Sequence, residues 1–289
     1  MIWGGLPDMK RRREKIVFIQ ALAATISVAA VSLLCIFIII EGWPLLKNVG
    51  FSPFLLGTTW EPSQGKFGIL PMVAGTVAVT FGALLMAVPL AVGTALLLSE
   101  FAPKRFASFM RPALQLLAGI PSVVYGFFGL VFLIPRLAAL FGGSGFSVLA
   151  GSIILTIMIL PTIASISEDA IRAVPKSYRE GSLALGATSW ETARRVVLPA
   201  ARSGIITAIL LGLGRALGET MAVLMVTGNV ATFPQSPHSP VRTLTGNIAL
   251  EMGYATGLHR SALFATGFVL FALIIILTLI ANWTRGRAS

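Results

Sequence analysis

Apolar residues run along this chain in long unbroken blocks. They do not alternate as in a half-buried strand, nor form the one-sided stripe of a surface helix. Residues 16–40 carry no charge over 25 positions, roughly 37 Å as a helix and enough to cross a bilayer core with tilt. Further blocks follow at 69–98, 114–134, 148–166, 204–227 and 262–283. Each predicts a transmembrane helix, because a lone strand leaves its backbone unsatisfied in lipid. The expected fold is an all-α integral membrane protein with six transmembrane helices. The first block reads as an uncleaved anchor, since it is too long for a signal peptide and no small-x-small site precedes Glu41.

Composition agrees. Hydrophobic residues make up 56% and charged residues 11%, against about 25% charged in soluble domains. That excludes a soluble enzyme, a disordered tail and a nucleic-acid-binding domain. The net charge of +11 is therefore read through its distribution. The N-terminus (Lys10 to Lys15), the second-to-third connection, the fourth-to-fifth connection and the C-terminus (Arg285, Arg287) hold sixteen Lys and Arg; the opposite side holds five, Lys47, Lys66, Arg136, Arg242 and Arg260. The positive-inside rule then predicts a multi-pass membrane protein with both termini cytoplasmic. Cys35 in its apolar run is expected to be a buried, inert thiol. His238 and His259 have no metal-binding spacing, and His238 is expected in a solvated loop. No Gly-x-x-x-x-Gly-Lys-Ser/Thr run occurs, so no cofactor is expected on this chain.

The fourth-to-fifth connection, residues 167–202, is the longest cytoplasmic one. Pro175 suits a first helical turn and Gly186 a helix C-terminus. Thr188-Ser189-Trp190-Glu191 has capping-box spacing, and Pro199 is expected to follow a second short helix. The pattern predicts helix, turn, helix. On pattern alone it reads equally as a hairpin on the membrane surface and as a docking element.

Glu180-Gly181-Ser182, Gly186 six residues after Glu180, and Val196-Val197-Leu198-Pro199 resemble the signature loop of ABC-importer permeases. Gly119 to Gly126, Val174 to Glu180, and Gly212 to Val223 are similar to PstC-type permease subunits of the bacterial phosphate importer, within the type I, MetI-like permease family. So are Gly228-Asn229, Arg242-Thr243-Leu244-Thr245 and Asn247 to Met252. The resemblance spans the second to the sixth span. It implies a type I importer permease fold whose cytoplasmic coupling helix, with Tyr178, Glu180, Gly181, Ser182 and Gly186, engages a separate ATPase.

Arg215 and Glu219 are the most informative intramembrane residues. A charge at the bilayer centre costs about 3 kcal/mol or more, so both are expected to face protein or water. Four apart on one helix, they are expected to share a face. They read either as a self-neutralising pair or as part of a substrate pathway, and the resemblance implies the latter. An arginine fork suits a tetrahedral oxyanion, and a nearby carboxylate accepts from the hydroxyl of monohydrogen phosphate but disfavours sulfate. Thr220 and Ser122 are candidate pathway hydroxyls. Gly214 and Gly218 have Gly-x-x-x-Gly spacing, expected to pack against another helix. Breaks at Gly119–Pro121 and Pro161 read equally as cavity lining and as kinks.

Three segments are expected: 1–68, an N-terminal tail, first span and external loop; 69–283, a five-span permease core with the coupling hairpin at 167–202; and 284–289, a cytoplasmic tail. The expected function is the permease subunit of an ATP-driven phosphate importer, without ATPase chemistry of its own. The resemblance implies a PstA-like permease partner, two PstB-like ATPase subunits carrying ATP and Mg, and a periplasmic phosphate-binding protein, in membrane lipid and without nucleic acid. The alternatives are a permease for sulfate, molybdate or phosphonate, a membrane-embedded enzyme, and a channel. Glu168-Asp169 are the only adjacent carboxylates for an enzyme, and neighbouring helix positions diverge.

Overall fold

The computed structural model describes the backbone of residues 6–286 and the side chains of residues 17–280. The basic side chains Lys10 to Lys15, Arg285 and Arg287, and the end of the 284–289 tail, lie outside these described residues. The helices are α1 (Leu6–Val49), α2 (Phe51–Leu56), α3 (Leu70–Leu96), α4 (Lys104–Gly119), α5 (Ser122–Phe128), α6 (Ile134–Phe141), α7 (Val148–Arg172), α8 (Lys176–Ala184), α9 (Ser189–Thr192), α10 (Leu198–Gly218), α11 (Met221–Val226), α12 (Leu244–Glu251) and α13 (Gly257–Gly286). One two-stranded hairpin, β1 (Trp60–Glu61) and β2 (Lys66–Phe67), pairs Trp60 with Phe67.

Among the described residues six helical runs are long and apolar enough to cross a membrane: Val17–Val49, Leu70–Phe101, Ser122–Phe141, Val148–Arg172, Ser189–Gly218 and Gly257–Ile280. The span count matches the hydropathy reading; several boundaries do not. Apolarity marks only the lipid-facing middle, whereas helical hydrogen bonds continue into water. The third span begins at Ser122, not 114, because α4 is a separate helix. The fifth begins far earlier: Pro199 does not end a short helix but sits in the first turn of α10, continuous with α9 through a π-helical turn at Ala193–Val197. It also ends earlier, at Gly218.

The core lies between α3 and α7. Val79, Ala83, Ala87 and Ala91 recur every four residues on α3 and are buried against Ile154, Leu155, Met158 and Ile159 of α7. Small side chains let the backbones approach. Ser152 of α7 then donates across the seam to the Val79 carbonyl at 3.1 Å, and the Thr156 hydroxyl is shared between the Ser152 carbonyl of its own helix at 2.7 Å and the Ala83 carbonyl across the seam at 3.1 Å. Pro161 leaves α7 unbroken. By contrast, α1 touches the rest chiefly at its C-terminal end, where Phe37 meets Phe264 edge-on at 5.5 Å. Its 17–34 side chains are exposed, and Cys35 is half-buried, so the expectation of a fully buried thiol is corrected. Glu168 is no catalytic candidate: it is 4% exposed and holds Arg111 of α4 at 2.6 Å, clamping α4 to α7.

Candidate functional site

Two helices break, and their second halves pack together. Just before the third span α4 stops at Gly119, Ile120 and Pro121 are extended, and Ser122 starts α5. At the end of the fifth span α10 stops at Gly218, Glu219 is extended (φ −69°, ψ 130°), and Met221 starts α11. Gly126 of α5 lies so close to α11 that a Cβ there would stand 2.9 Å from the Ala222 Cα. Glycine at the crossing makes that approach possible. Broken membrane helices are tolerated where the freed backbone groups find partners or line a cavity.

Arg215 is one of those partners. Nη1 donates to Thr162 Oγ1 at 3.2 Å and Nη2 to the Ala118 carbonyl at 3.3 Å. The preceding carbonyl, Leu117, accepts from the Tyr125 hydroxyl at 2.7 Å. A cation at the C-terminus of α4 also faces the negative end of its dipole. Among the described residues no carboxylate forms an ion pair with Arg215.

The expected shared face of Arg215 and Glu219 is therefore corrected. The helix ends between them, so the i, i+4 geometry is lost. Glu219 Oε1 accepts from the Ala222 N–H at 3.0 Å and caps α11, while its carbonyl accepts from Thr245 Oγ1 at 2.9 Å. Thr220 donates to the Gly218 carbonyl at 3.3 Å, and Ser122 is the half-buried first residue of α5. Gly212 packs on Ile163, but Gly214 and Gly218 face open space within this chain, as does Gly119. No described residue of this chain packs on Gly214 or Gly218.

Thr162 escaped the sequence reading, and Tyr125 and Thr245 stood in the quoted motifs without a role of their own. A hydroxyl in a membrane helix has no distinctive pattern, since most bond their own backbone. The one available signal is Pro161 beside Thr162.

The hairpin forms as expected. Gly186 has φ +85°, and its N–H and that of Ala187 donate to the carbonyls of Leu183 (3.0 Å) and Ser182 (3.3 Å), a Schellman closure. The Thr188–Glu191 capping box is complete. Ser182 Oγ lies 2.9 Å from Thr192 Oγ1 and staples the arms. Tyr178, Leu185 and Trp190 are exposed, Leu185 by 91%, and Gly181 has open space over it; Glu180 is also exposed. Arg179 roots the hairpin. Its fork holds Glu100 at 2.7 and 3.1 Å, and it donates also to the carbonyls of Val174 (2.6 Å) and Ile171 (2.9 Å).

At the other end of the spans, residues 228–261 include α12 and the start of α13. Arg242 and His259 meet the Glu251 carboxylate at 2.6 and 2.8 Å, and Trp60 Nε1 donates to it at 2.9 Å. Sequence reading found no role for His259, because its partner lies across a turn. His238 is exposed, as expected, with its ring 4.3 Å from that of Phe141.

The family model described as binding-protein-dependent transport system inner membrane component matches residues 87–288. A Bacillus subtilis protein named probable ABC transporter permease protein YqgH is 43% identical, over 91% of this chain and 88% of its own length. A Mesorhizobium japonicum protein named phosphate transport system permease protein PstC is 40% identical, over 85% and 81%. Among solved structures, a bacterial ABC transporter that imports the acidic polysaccharide alginate superposes with TM-score 0.64 at 17% identity, over 96% of this chain and 99% of that one.

Proposed function

The chain belongs to the family of binding-protein-dependent transport system inner membrane components, and from that premise we propose that it is the PstC-type permease subunit of an ATP-driven importer of inorganic phosphate. Arg215 carries the reading. It is an intramembrane guanidinium whose bonds among the described residues go to neutral oxygens, Thr162 Oγ1 and the Ala118 carbonyl, beside the breaks between α4 and α5 and between α10 and α11. A charge so located is expensive, and such charges mark substrate pathways. An arriving oxyanion replaces the two neutral acceptors with a charge-assisted, forked contact. Phosphate permeases among the relatives support this cargo. Glu219, close in sequence, favours an anion with a hydroxyl to donate over one without.

A PstA-like permease completes the pathway, and two PstB-like ATPases with ATP and Mg engage the exposed hairpin around Tyr178, Glu180, Gly181, Ser182 and Gly186. A periplasmic phosphate-binding protein delivers the anion. Both termini are cytoplasmic, and the β1–β2 hairpin is external. The chain itself binds no cofactor. ATP-driven movement of the hairpin reaches the spans through the Arg179–Glu100 fork. Reconstituted with its partners in liposomes, the complex imports phosphate and discriminates against sulfate; sulfate uptake without phosphate uptake refutes the assignment.

A further inference from the structure

The helix α12 is held at both ends, and its two ends belong to different regions. At its start, the Leu244 N–H donates to Thr76 Oγ1 of α3 at 3.0 Å, and the Gly246 N–H donates to Thr243 Oγ1 at 3.1 Å. Thr245, 7% exposed, donates its hydroxyl proton to the Glu219 carbonyl at 2.9 Å. A carbonyl only accepts and a threonine has one proton, so in the 3.1 Å contact between the hydroxyls of Thr243 and Thr245 the donor must be Thr243. The bonds thus run one way, from the Gly246 N–H through Thr243 and Thr245 to the helix break at Glu219. At its other end, roughly 12 Å away by helical rise, Glu251 is fastened to Arg242, His259 and Trp60. Arg242 also donates to the Asn247 side chain (3.0 Å) and the Asn229 carbonyl (2.9 Å), tying the middle of α12 to the chain leaving α11. An open recess lined by Ser63, Gly65, Tyr254 and Thr256 lies over Glu251 and His259.

We propose that α12 is a strut between the external cluster at Glu251 and the break at Glu219, and that Thr245 is a positioning residue for passage of the anion. The Glu219 carbonyl is one of the groups freed where α10 ends, and without a partner it would carry a desolvation cost. Thr245 supplies the partner and thereby fixes the peptide whose side chain caps α11 and whose helix presents Arg215. Loss of the hydroxyl lets that peptide turn, so the break no longer holds one geometry through the transport cycle.

The cargo measured rests on the phosphate reading; the strut does not. In the reconstituted complex with its binding protein and ATPases, Thr245→Val keeps the shape and removes the donor. We expect the maximal uptake rate per assembled complex to fall about fivefold or more, with the half-saturating phosphate concentration unchanged, since capture belongs to the binding protein. Thr245→Ser, which keeps the hydroxyl, restores the rate to within about twofold of wild type. ATP hydrolysis stimulated by the loaded binding protein follows the same order, whichever oxyanion is carried. A Thr245→Val complex that assembles in lower yield but works at the wild-type rate per complex would overturn the positioning role, as would a Thr245→Ser variant as slow as Thr245→Val. Absent phosphate uptake by the wild-type complex refutes the cargo instead, and the hydrolysis comparison still decides the strut.

Discussion

Arg215 and Glu219 stand four residues apart and serve different helix breaks: the arginine bonds the Ala118 carbonyl at the end of α4, and the glutamate caps the start of α11. Their charges do not cancel in a pair. On the proposed pathway an anion meets a guanidinium whose present partners are exchangeable neutral oxygens.

Replacing Arg215 should accordingly impair transport more than assembly. Arg215→Ala removes a charge-assisted contact of ~1.5–3 kcal/mol, so uptake per assembled complex is expected to fall about 10- to 100-fold. Arg215→Lys, which keeps charge without the fork, should be intermediate. The double variant Arg215→Ala/Glu219→Gln should assemble with its partners yet remain inactive. Near wild-type uptake by that double variant means the pair only serves folding.

Glu219 makes a separable prediction. Glu219→Gln retains an acceptor for the Ala222 N–H, whereas Glu219→Ala loses the cap, worth about 1 kcal/mol. The purified complex should melt at a lower temperature for the alanine variant than for the glutamine variant. Equal melting temperatures would show that the cap contributes nothing.

At Gly186, φ is +85°, where a β-branched residue is strained and asparagine is tolerated. Gly186→Val is expected to abolish substrate-stimulated ATP hydrolysis while the spans still insert; Gly186→Asn should keep most of it. Coupled hydrolysis in the valine variant removes the hairpin turn from the mechanism.

The root of the hairpin should matter as much as its tip. Arg179→Ala leaves Glu100, 14% exposed, without its fork, a loss on the order of 1.5–3 kcal/mol for a part-buried charge-assisted contact. Hydrolysis should become uncoupled from uptake even where the ATPases still bind, measured as phosphate moved per ATP. An unchanged ratio would mean that force enters the spans elsewhere.

Orientation is testable by labelling. With Cys35 replaced, a cysteine at Ser63 in the β1–β2 hairpin should react with an impermeant reagent in intact cells, and one at Leu185 should react only after permeabilisation. The reverse pattern inverts the topology.

The six spans, the capping box at Thr188, the left-handed Gly186 and the intramembrane Arg215 were all legible in the sequence by itself. Each depends on local chemistry: a hydrocarbon solvent demands long apolar helices, and caps and turns are set by residues within one turn of each other. What the tertiary structure alone decided is who partners whom. Arg215 reaches Thr162 and Ala118, 53 and 97 positions away in the chain, instead of Glu219. Arg179 reaches Glu100 across 79, and Trp60 meets Glu251 across 191. Hydropathy registers only that a segment prefers lipid; it is blind to where a helix breaks and where the freed carbonyls turn. Those choices follow from close packing, as at Gly126 against Ala222, and from the need of every buried polar group for a partner brought to it by the fold.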